Sequence, residues 1–434
     1  MPPTDLRDIS FPATDEPLRR DVHLLGDLVG RVIREQGGDA LFDRVEAARH
    51  AAIRRREGDP AAAGDLAREL EGLDGDDATD VVRAFSTYFQ VVNLAERVHR
   101  VRRGRVRATS DDTPQSGSLS DAVRRLRALG LPDVEIIELF RRSRVEPVFT
   151  AHPTESTRRI ILEKQEHIAN ELIERLDPSR TPHEERVAMA RIRENVTAAW
   201  QTEEHPDEKP SVADEREHVL YYVAHVLSQV LPALQERLEE ALAGSEGGEP
   251  VELPALIRPG SWVGGDMDGN PNVDAGTIRA TLERHRDLAI ETYTSEVRSL
   301  ARHLSQSATR VTWSEAIDET AARYAEWFPE ARIAIGDRHA DMGYRVLLEL
   351  VAARLHATKA DGAHRYTSPS EFLDDVASVQ SSLEANQGLH AGVFRVRRLV
   401  RRIRAFGFHL AVLDVRQDAR ELRDVVAEML GDAQ

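Results

Sequence analysis

The sequence predicts a mainly α fold, a helical chain that contributes the first strands of a TIM-type β/α barrel. Apolar residues recur at helical spacing along most of the 434 residues, the mark of helices with one buried face. Only three short stretches read as strands: Val145–Phe149, Leu256–Val263 and Phe408–Val415. Each ends in polar residues: His152 after the first, Asp266–Asn270 after the second, Arg416 and Gln417 after the third. Functional groups at the C-terminal ends of successive strands, with helices between, are the layout of a β/α barrel. Three strands cannot close a barrel of eight. Either other chains complete it or this sequence stops partway. Residues 1–144 read as an N-terminal helical region. Residues 145–434 read as the start of the barrel with inserted helices, one continuous fold without independent domains.

Taken in order, Asp21–Gln36 and Leu41–Arg56 are amphipathic helices, the first with Leu24, Leu25, Leu28, Val32 and Ile33 on one face. An acidic Gly/Ala-rich connection follows through Asp77. Val81–Val101 is a strong helix with Phe85, Tyr88, Phe89, Val92, Leu94 and Val98 as core candidates. Arg103–Asp121 is rich in breakers and reads as a loop. A short helix, Ala122–Leu129, leads toward the first strand. After that strand Pro153 suits a first helical position, and Ile160, Ile161, Ile168, Leu172, Ile173 and Leu176 form an apolar stripe. Glu184–Trp200 is the next helix, Thr202–Ala213 a charged loop, and Asp214–Ala243 one long helix or two short ones. Gly244–Pro250 is the clearest flexible break. After the second strand a helix starts at Asp274 or Thr277 and runs to about Leu304. Trp313–Phe328, Asp341–Leu355 and Pro369–Leu383 follow, with a loop at Ala357–Ser370. The third strand precedes a last helix, Arg420–Leu430.

Composition narrows the function classes. Lys and Arg number 58 against 75 Asp and Glu, a net charge of −17, which opposes general nucleic-acid binding. Cysteine is absent, so no disulfide or thiolate chemistry is available. The N-terminus lacks the apolar core of a signal peptide, and no run approaches a membrane span. A soluble, cytoplasmic protein is expected. Lysine occurs only at Lys164, Lys209 and Lys359. Such an Arg bias with surplus acid resembles proteins of salt-loving microbes, and a GC-rich genome produces the same bias. Stability that rises from low to molar KCl is the mark of the first.

His152 sits at the join of the first strand and the next helix. A helix N-terminus lowers a histidine's pKa and keeps the imidazole neutral, as a proton acceptor needs. Arg158 and Arg159 follow about one turn later, so the corner suits an anionic, phosphorylated substrate. Taken alone, a His before a Pro is more often a helix cap, and the arginines a solvated face. Gly264–Asp274 matches the first three ligand positions of a calcium loop at Asp266, Asp268 and Asn270. Pro271 and Thr277 then stand where Gly and Glu are required, so a glycine-permitted turn is the better reading. Trp262 before it walls a pocket or belongs to the core. Arg416 can hold phosphate or carboxylate bidentately, or forms an internal salt bridge, to Asp414 or Asp418 for instance. No repeat period supports a purely scaffolding solenoid.

Together these stretches resemble phosphoenolpyruvate carboxylase. The family signature V-x-T-A-H-P-T-E-x-x-R-R stands here as VFTAHPTESTRR (Val148–Arg159), and S-W-M-G-G-D-R-D-G-N-P as SWVGGDMDGNP (Ser261–Pro271). F-G-x-x-L-x-x-L-D-I-R-Q-E stands as FGFHLAVLDVRQD (Phe406–Asp418), and weaker matches fill the gaps from about Leu24 to Leu430. The resemblance implies carboxylation of phosphoenolpyruvate by bicarbonate, with Mg²⁺, through carboxyphosphate and the pyruvate enolate to oxaloacetate. It implies that His152 takes the carboxyphosphate proton and helps hold carbon dioxide. It implies that Arg416 binds phosphoenolpyruvate, with Arg158 and Arg159 as further candidate substrate-binding cations. Trp262, Gly264, Gly265 and Asp266 resemble the wall near bicarbonate.

Met267 replaces the family's usual Arg within GGDRDG, so a contact made by that charge is absent. The resemblance covers only the family's N-terminal half. The family's metal-binding Glu and Asp, its G-Y-S-D-S segment and its G-R-G-G loop belong to the later half, and no GRGG occurs here. The chain alone is therefore expected to be inactive, with no metal ligands of its own. It is expected to act as part of a homo-oligomer (a tetramer in the family) or with a complementing C-terminal half. A non-catalytic binding or regulatory relative is the alternative.

Overall fold

The computed structural model describes residues 12–110, 114–150, 158–204, 210–243 and 251–431. It is mostly helical. In chain order the helices are α1 (Glu16–Arg56), α2 (Ala62–Leu70), α3 (Gly75–Ser110), α4 (Leu119–Ala128) and α5 (Asp133–Arg142). Strand β1 (Val148–Phe149) precedes α6 (Arg159–Glu174), α7 (Pro182–Trp200), α8 (Val212–Tyr221) and α9 (Ser228–Ala243). Strand β2 (Gly260–Ser261) precedes α10 (Ala275–His303), α11 (Glu315–Trp327), α12 (Pro329–Ile335), α13 (Gly343–Lys359), α14 (Pro369–Ala385) and α15 (Val393–Phe406). Strand β3 (Val412–Leu413) precedes α16 (Ala419–Leu430). No described helix is long and apolar enough to cross a membrane.

The chain divides into two compact units, Met1–Thr113 with Thr154–Lys209, and Pro114–Pro153 with Pro210–Gln434. In the first, α1 breaks at Gly38, whose φ of 83° is left-handed and costs glycine little. The two helices read at the start of the chain are therefore the two arms of α1, on either side of this kink. Leu28, Val29, Val32 and Ile33 of α1 share a core with Leu94, Ala95 and Val98 of α3, Ile168 and Leu172 of α6, and Ile192 and Val196 of α7. Thr181 and Glu184 close a capping box at the start of α7, each satisfying a donor that the helix cannot. Two core expectations fail: Phe89 is 57% exposed and Ile160 is 49% exposed. Both lie on helices whose buried stripe is narrower than their apolar content. Helix α2 forms inside the expected connection, and α3 continues to Ser110 into the expected loop. The flexible break expected at Gly244–Pro250 lies outside the described residues.

In the second unit the main core joins α10, α13, α14 and α15 through Tyr293, Val297, Leu347, Val351, Phe372, Val376, Val396 and Ile403. Asp214–Ala243 proves continuous, with Tyr222–Leu227 wound as a π-helix between α8 and α9. Helices α12 and α15 are additional to those read from the sequence. The three strands form one parallel sheet in the order β1-β2-β3. Val148 pairs with Gly260, and Gly260 with Val412; Phe149 pairs with Ser261, and Ser261 with Leu413. A Cβ on Gly260 would lie 3.3 Å from Val148 Cγ2, so the small residue lets the strands close up. The expected strands are present but short, each regular over two residues.

Candidate functional site

Past its last strand residue, β2 stays tied to both neighbours. The Trp262 amide donates to Phe149 O at 2.9 Å, and the Asp414 amide donates to Ser261 O at 2.9 Å. The chain then turns tightly: the amides of Gly265 and Asp266 both donate to Trp262 O, at 2.9 and 3.0 Å. Two glycines are required here for different reasons. Gly264 has φ of 85°, and a Cβ on it would lie 2.3 Å from Thr281 Oγ1. A Cβ on Gly265 would lie 2.4 Å from the Asp414 carbonyl oxygen. The turn thus presses its backbone directly on that of the third strand's extension. The Arg416 amide donates to Gly265 O at 3.0 Å, and the Met267 amide donates to Arg416 O at 2.8 Å.

This backbone pairing sets four side chains. Arg416 Nη1 donates to Asp266 Oδ2 at 2.8 Å. The Arg416 guanidinium lies over the Trp262 ring, 4.0 Å from its centroid, a cation–π arrangement that suits the weakly hydrated Arg. Trp262 Nε1 donates to Asp414 Oδ2 at 3.1 Å, which fixes the ring plane. Arg416 and Asp266 are 39% and 32% exposed. The guanidinium carries five N–H donors, so one carboxylate leaves it capacity for a second anion.

Of the residues singled out from the sequence, Trp262, Gly264, Gly265, Asp266 and Arg416 come together in this one assembly. The salt bridge expected for Arg416 at Asp414 or Asp418 is corrected: its partner is Asp266. Asp414 instead holds the indole, and Asp418 caps α16 by accepting from the Arg420 amide at 2.7 Å. Asp414 was legible only as a charge beside Arg416, because its role depends on cross-strand register. Asp266 Oδ1 accepts from the Asp268 amide at 3.3 Å, and Asn270 Oδ1 from the Asn272 amide at 3.1 Å; these are Asx turns. His152, Pro153 and Glu155 lie outside the described residues. Arg158 and Arg159 belong to the first unit. Arg158 is the extended N-cap of α6 and Arg159 its first residue, so they open that helix rather than follow its start by a turn. The Arg158 amide donates to Glu204 O at 3.0 Å, and Arg159 Nε donates to Glu163 at 2.8 Å.

Under the turn, His285 of α10 is buried and its Nδ1 lies 3.0 Å from His409 O. Burial pushes its pKa down to about 4, so it stays neutral. The Thr281 hydroxyl, one turn earlier, is buried without a partner.

The family model for phosphoenolpyruvate carboxylase matches residues 18–434. The chain belongs to the phosphoenolpyruvate carboxylase family. A phosphoenolpyruvate carboxylase of Xanthomonas oryzae pv. oryzae is 49% identical over 422 residues, covering 97% of this chain and 46% of that protein. The enzymes of that name from Ralstonia nicotianae and Azorhizobium caulinodans are 38% and 36% identical, each over 97% of this chain. They are covered over 44% and 46% of their own lengths. The chain thus spans about half the length of the curated phosphoenolpyruvate carboxylases it matches, in keeping with an N-terminal half.

Proposed function

We propose that this chain supplies the histidine-bearing half of a phosphoenolpyruvate carboxylase site. The whole protein carboxylates phosphoenolpyruvate with bicarbonate, releasing oxaloacetate and phosphate and replenishing the tricarboxylic acid cycle. The observation that carries the reading is the Arg416–Trp262–Asp266 assembly at the C-terminal ends of parallel strands. A half-exposed guanidinium, held flat by an indole and tied by one carboxylate, is prepared for a substrate phosphate. Asp266 keeps Arg416 extended, and an arriving phosphate competes for the same donors. Trp262, oriented by Asp414, forms an apolar wall that limits water near the reacting carbon. His152 takes the carboxyphosphate proton, as a neutral imidazole can, and Arg158 and Arg159 are further candidate anion-binding residues.

The three strands are the first of a TIM-type barrel, with residues 1–144 as the helical region before it. Mg²⁺ is the family's metal and would stabilise charge on the enolate. By the family resemblance, its Glu and Asp ligands belong to the later half of the enzyme. The complete protein acts in the cytoplasm as a homo-oligomer, or with a complementing C-terminal half. The purified 434-residue chain is expected to form no oxaloacetate from phosphoenolpyruvate, bicarbonate and Mg²⁺ in a malate-dehydrogenase-coupled assay. Turnover in that assay would refute the division of the site. Phosphoenolpyruvate should still quench Trp262 fluorescence, and an unchanged signal would remove the substrate assignment.

A further inference from the structure

One face of α10 carries three buried polar side chains: Thr281, His285 one turn later, and Tyr293 two turns beyond that. Each meets backbone of the segments that build the site. Thr281 stands against Gly264 of the turn after β2. His285 Nδ1 lies 3.0 Å from His409 O, and the Tyr293 hydroxyl donates to Gly407 O at 2.8 Å. A carbonyl only accepts, so the neutral imidazole carries its proton on Nδ1. Both carbonyls belong to the short crossing between α15 and β3.

That crossing is strained. Leu410 has φ of 60°, a left-handed conformation that its Cβ makes costly. Its side chain is buried in the main core, and its amide donates to Phe406 O at 3.0 Å. Such strain persists only where the surroundings over-determine it, and it collects at functional sites. Here its consequence is register. Past Leu410, the amides of Val412, Asp414 and Arg416 donate to Pro259 O, Ser261 O and Gly265 O at 2.9, 2.9 and 3.0 Å. Were Leu410 to relax to a negative φ, the peptide planes beyond it would turn over and the other set of amides would face β2. A one-residue slip sends every side chain of a strand to the opposite face. Asp414 would then leave the indole, and Arg416 would leave both Asp266 and the Trp262 ring.

We propose that His285 is a positioning residue for the Arg416 site. By donating to His409 O it keeps Leu410 left-handed, and so fixes the register that brings Arg416 over Trp262. It acts through the backbone between residues 409 and 416 rather than on the ligand. Tyr293 supports the same crossing, but the acceptor of His285 is the residue next to Leu410. That Arg416 holds a substrate phosphate rests on the proposed function; the register does not.

The test uses the full 434-residue chain. In a nitrogen–proton correlation NMR spectrum the Trp262 indole N–H, assigned with Trp262→Phe, reports its bond to Asp414 with no substrate present. His285→Leu is of similar volume and removes the donor. The indole resonance should move, and phosphoenolpyruvate affinity by titration calorimetry should fall at least about tenfold. His285→Asn returns an amide N–H at the place of Nδ1 and should restore both. His285→Leu combined with Leu410→Gly should also regain resonance and affinity, because glycine accepts a left-handed φ unaided. Its melting temperature should nevertheless fall further, for loss of a core side chain. A purely structural His285 would instead make affinity follow stability. Should His285→Leu not fold, His285→Gln takes its place, since its amide lies one bond beyond the position of Nδ1. An unmoved resonance, or no recovery with Leu410→Gly, overturns the inference. A resonance that moves in a chain whose wild type binds no phosphoenolpyruvate keeps the positioning role and defeats the substrate assignment.

Discussion

Gly265→Ala offers the sharpest test of how the site is built. Nothing in its backbone angle demands glycine, since its φ is not among the positive ones; the demand is space. The added Cβ would meet the Asp414 carbonyl oxygen at 2.4 Å and the Leu413 side chain at 3.1 Å. A backbone carbonyl in a strand cannot swing aside, so the turn must lift off β3. That breaks the hydrogen bonds Arg416 N–Gly265 O and Met267 N–Arg416 O, worth about 1 kcal/mol each. With an overpacking cost of about 1 kcal/mol or more, the total is about 3 kcal/mol. For a unit of this size that corresponds to a fall in melting temperature on the order of 6–10 °C. Gly269→Ala is the control. Its φ is 70° but a Cβ there meets nothing within 4 Å, so only the left-handed backbone penalty of about 1 kcal/mol applies. Urea melts followed by circular dichroism compare the two. Because Arg416 is placed by the same pairing, Gly265→Ala should also weaken phosphoenolpyruvate quenching of Trp262, and Gly269→Ala should not. If Gly265→Ala proves no more harmful than Gly269→Ala, the turn does not press on β3 and the site geometry is wrong.

Other outcomes follow from single groups. Arg416→Lys keeps the charge but loses the planar fork and the stacking on Trp262, so phosphoenolpyruvate affinity by titration calorimetry should fall about tenfold; unchanged affinity would place the phosphate elsewhere. His285 has a folded pKa of about 4 against about 6.5 unfolded, so the unfolded chain binds the extra proton between those values. Its contribution is complete above pH 6.5 and is lost as pH falls toward 4, by about 3 kcal/mol at most. His285→Gln should flatten the stability–pH curve in that window, and an unaltered slope would refute the assignment. Arg354 is buried among Tyr324, Tyr366, Glu371 and Asp375. Arg354→Met should cost about 3–5 kcal/mol, because the largely enclosed Asp375, its side chain 11% exposed, loses its cation; Arg354→Met paired with Asp375→Asn should recover part of that in the same denaturation assay.

Much of this protein is local and therefore readable from the chain alone. Helical periodicity gave nearly every long helix, and Gly38, Thr181 and Asp274 mark breaks and caps where their chemistry predicts them. The three strand stretches and the family were legible as well, because their motifs are contiguous. Short α2 and α12 were not, since packing rather than propensity sustains helices of that length. The exposure of Phe89 and Ile160 likewise depends on which neighbours arrive. At the site, the sequence identified the glycine turn and Arg416 but not the partner of either. Asp266 and Arg416 stand 150 positions apart, while Asp414 and Asp418 are close in sequence. Parallel register, set by β2 and β3 and continued by the Asp266–Arg416 bridge, brings the distant carboxylate to the guanidinium and turns the near one to the indole. Residue types alone determined that an arginine, a tryptophan and acidic groups were at hand. Only the tertiary structure decided which carboxylate restrains the cation and which orients the ring, because strand pairing is a long-range choice that local chemistry does not encode.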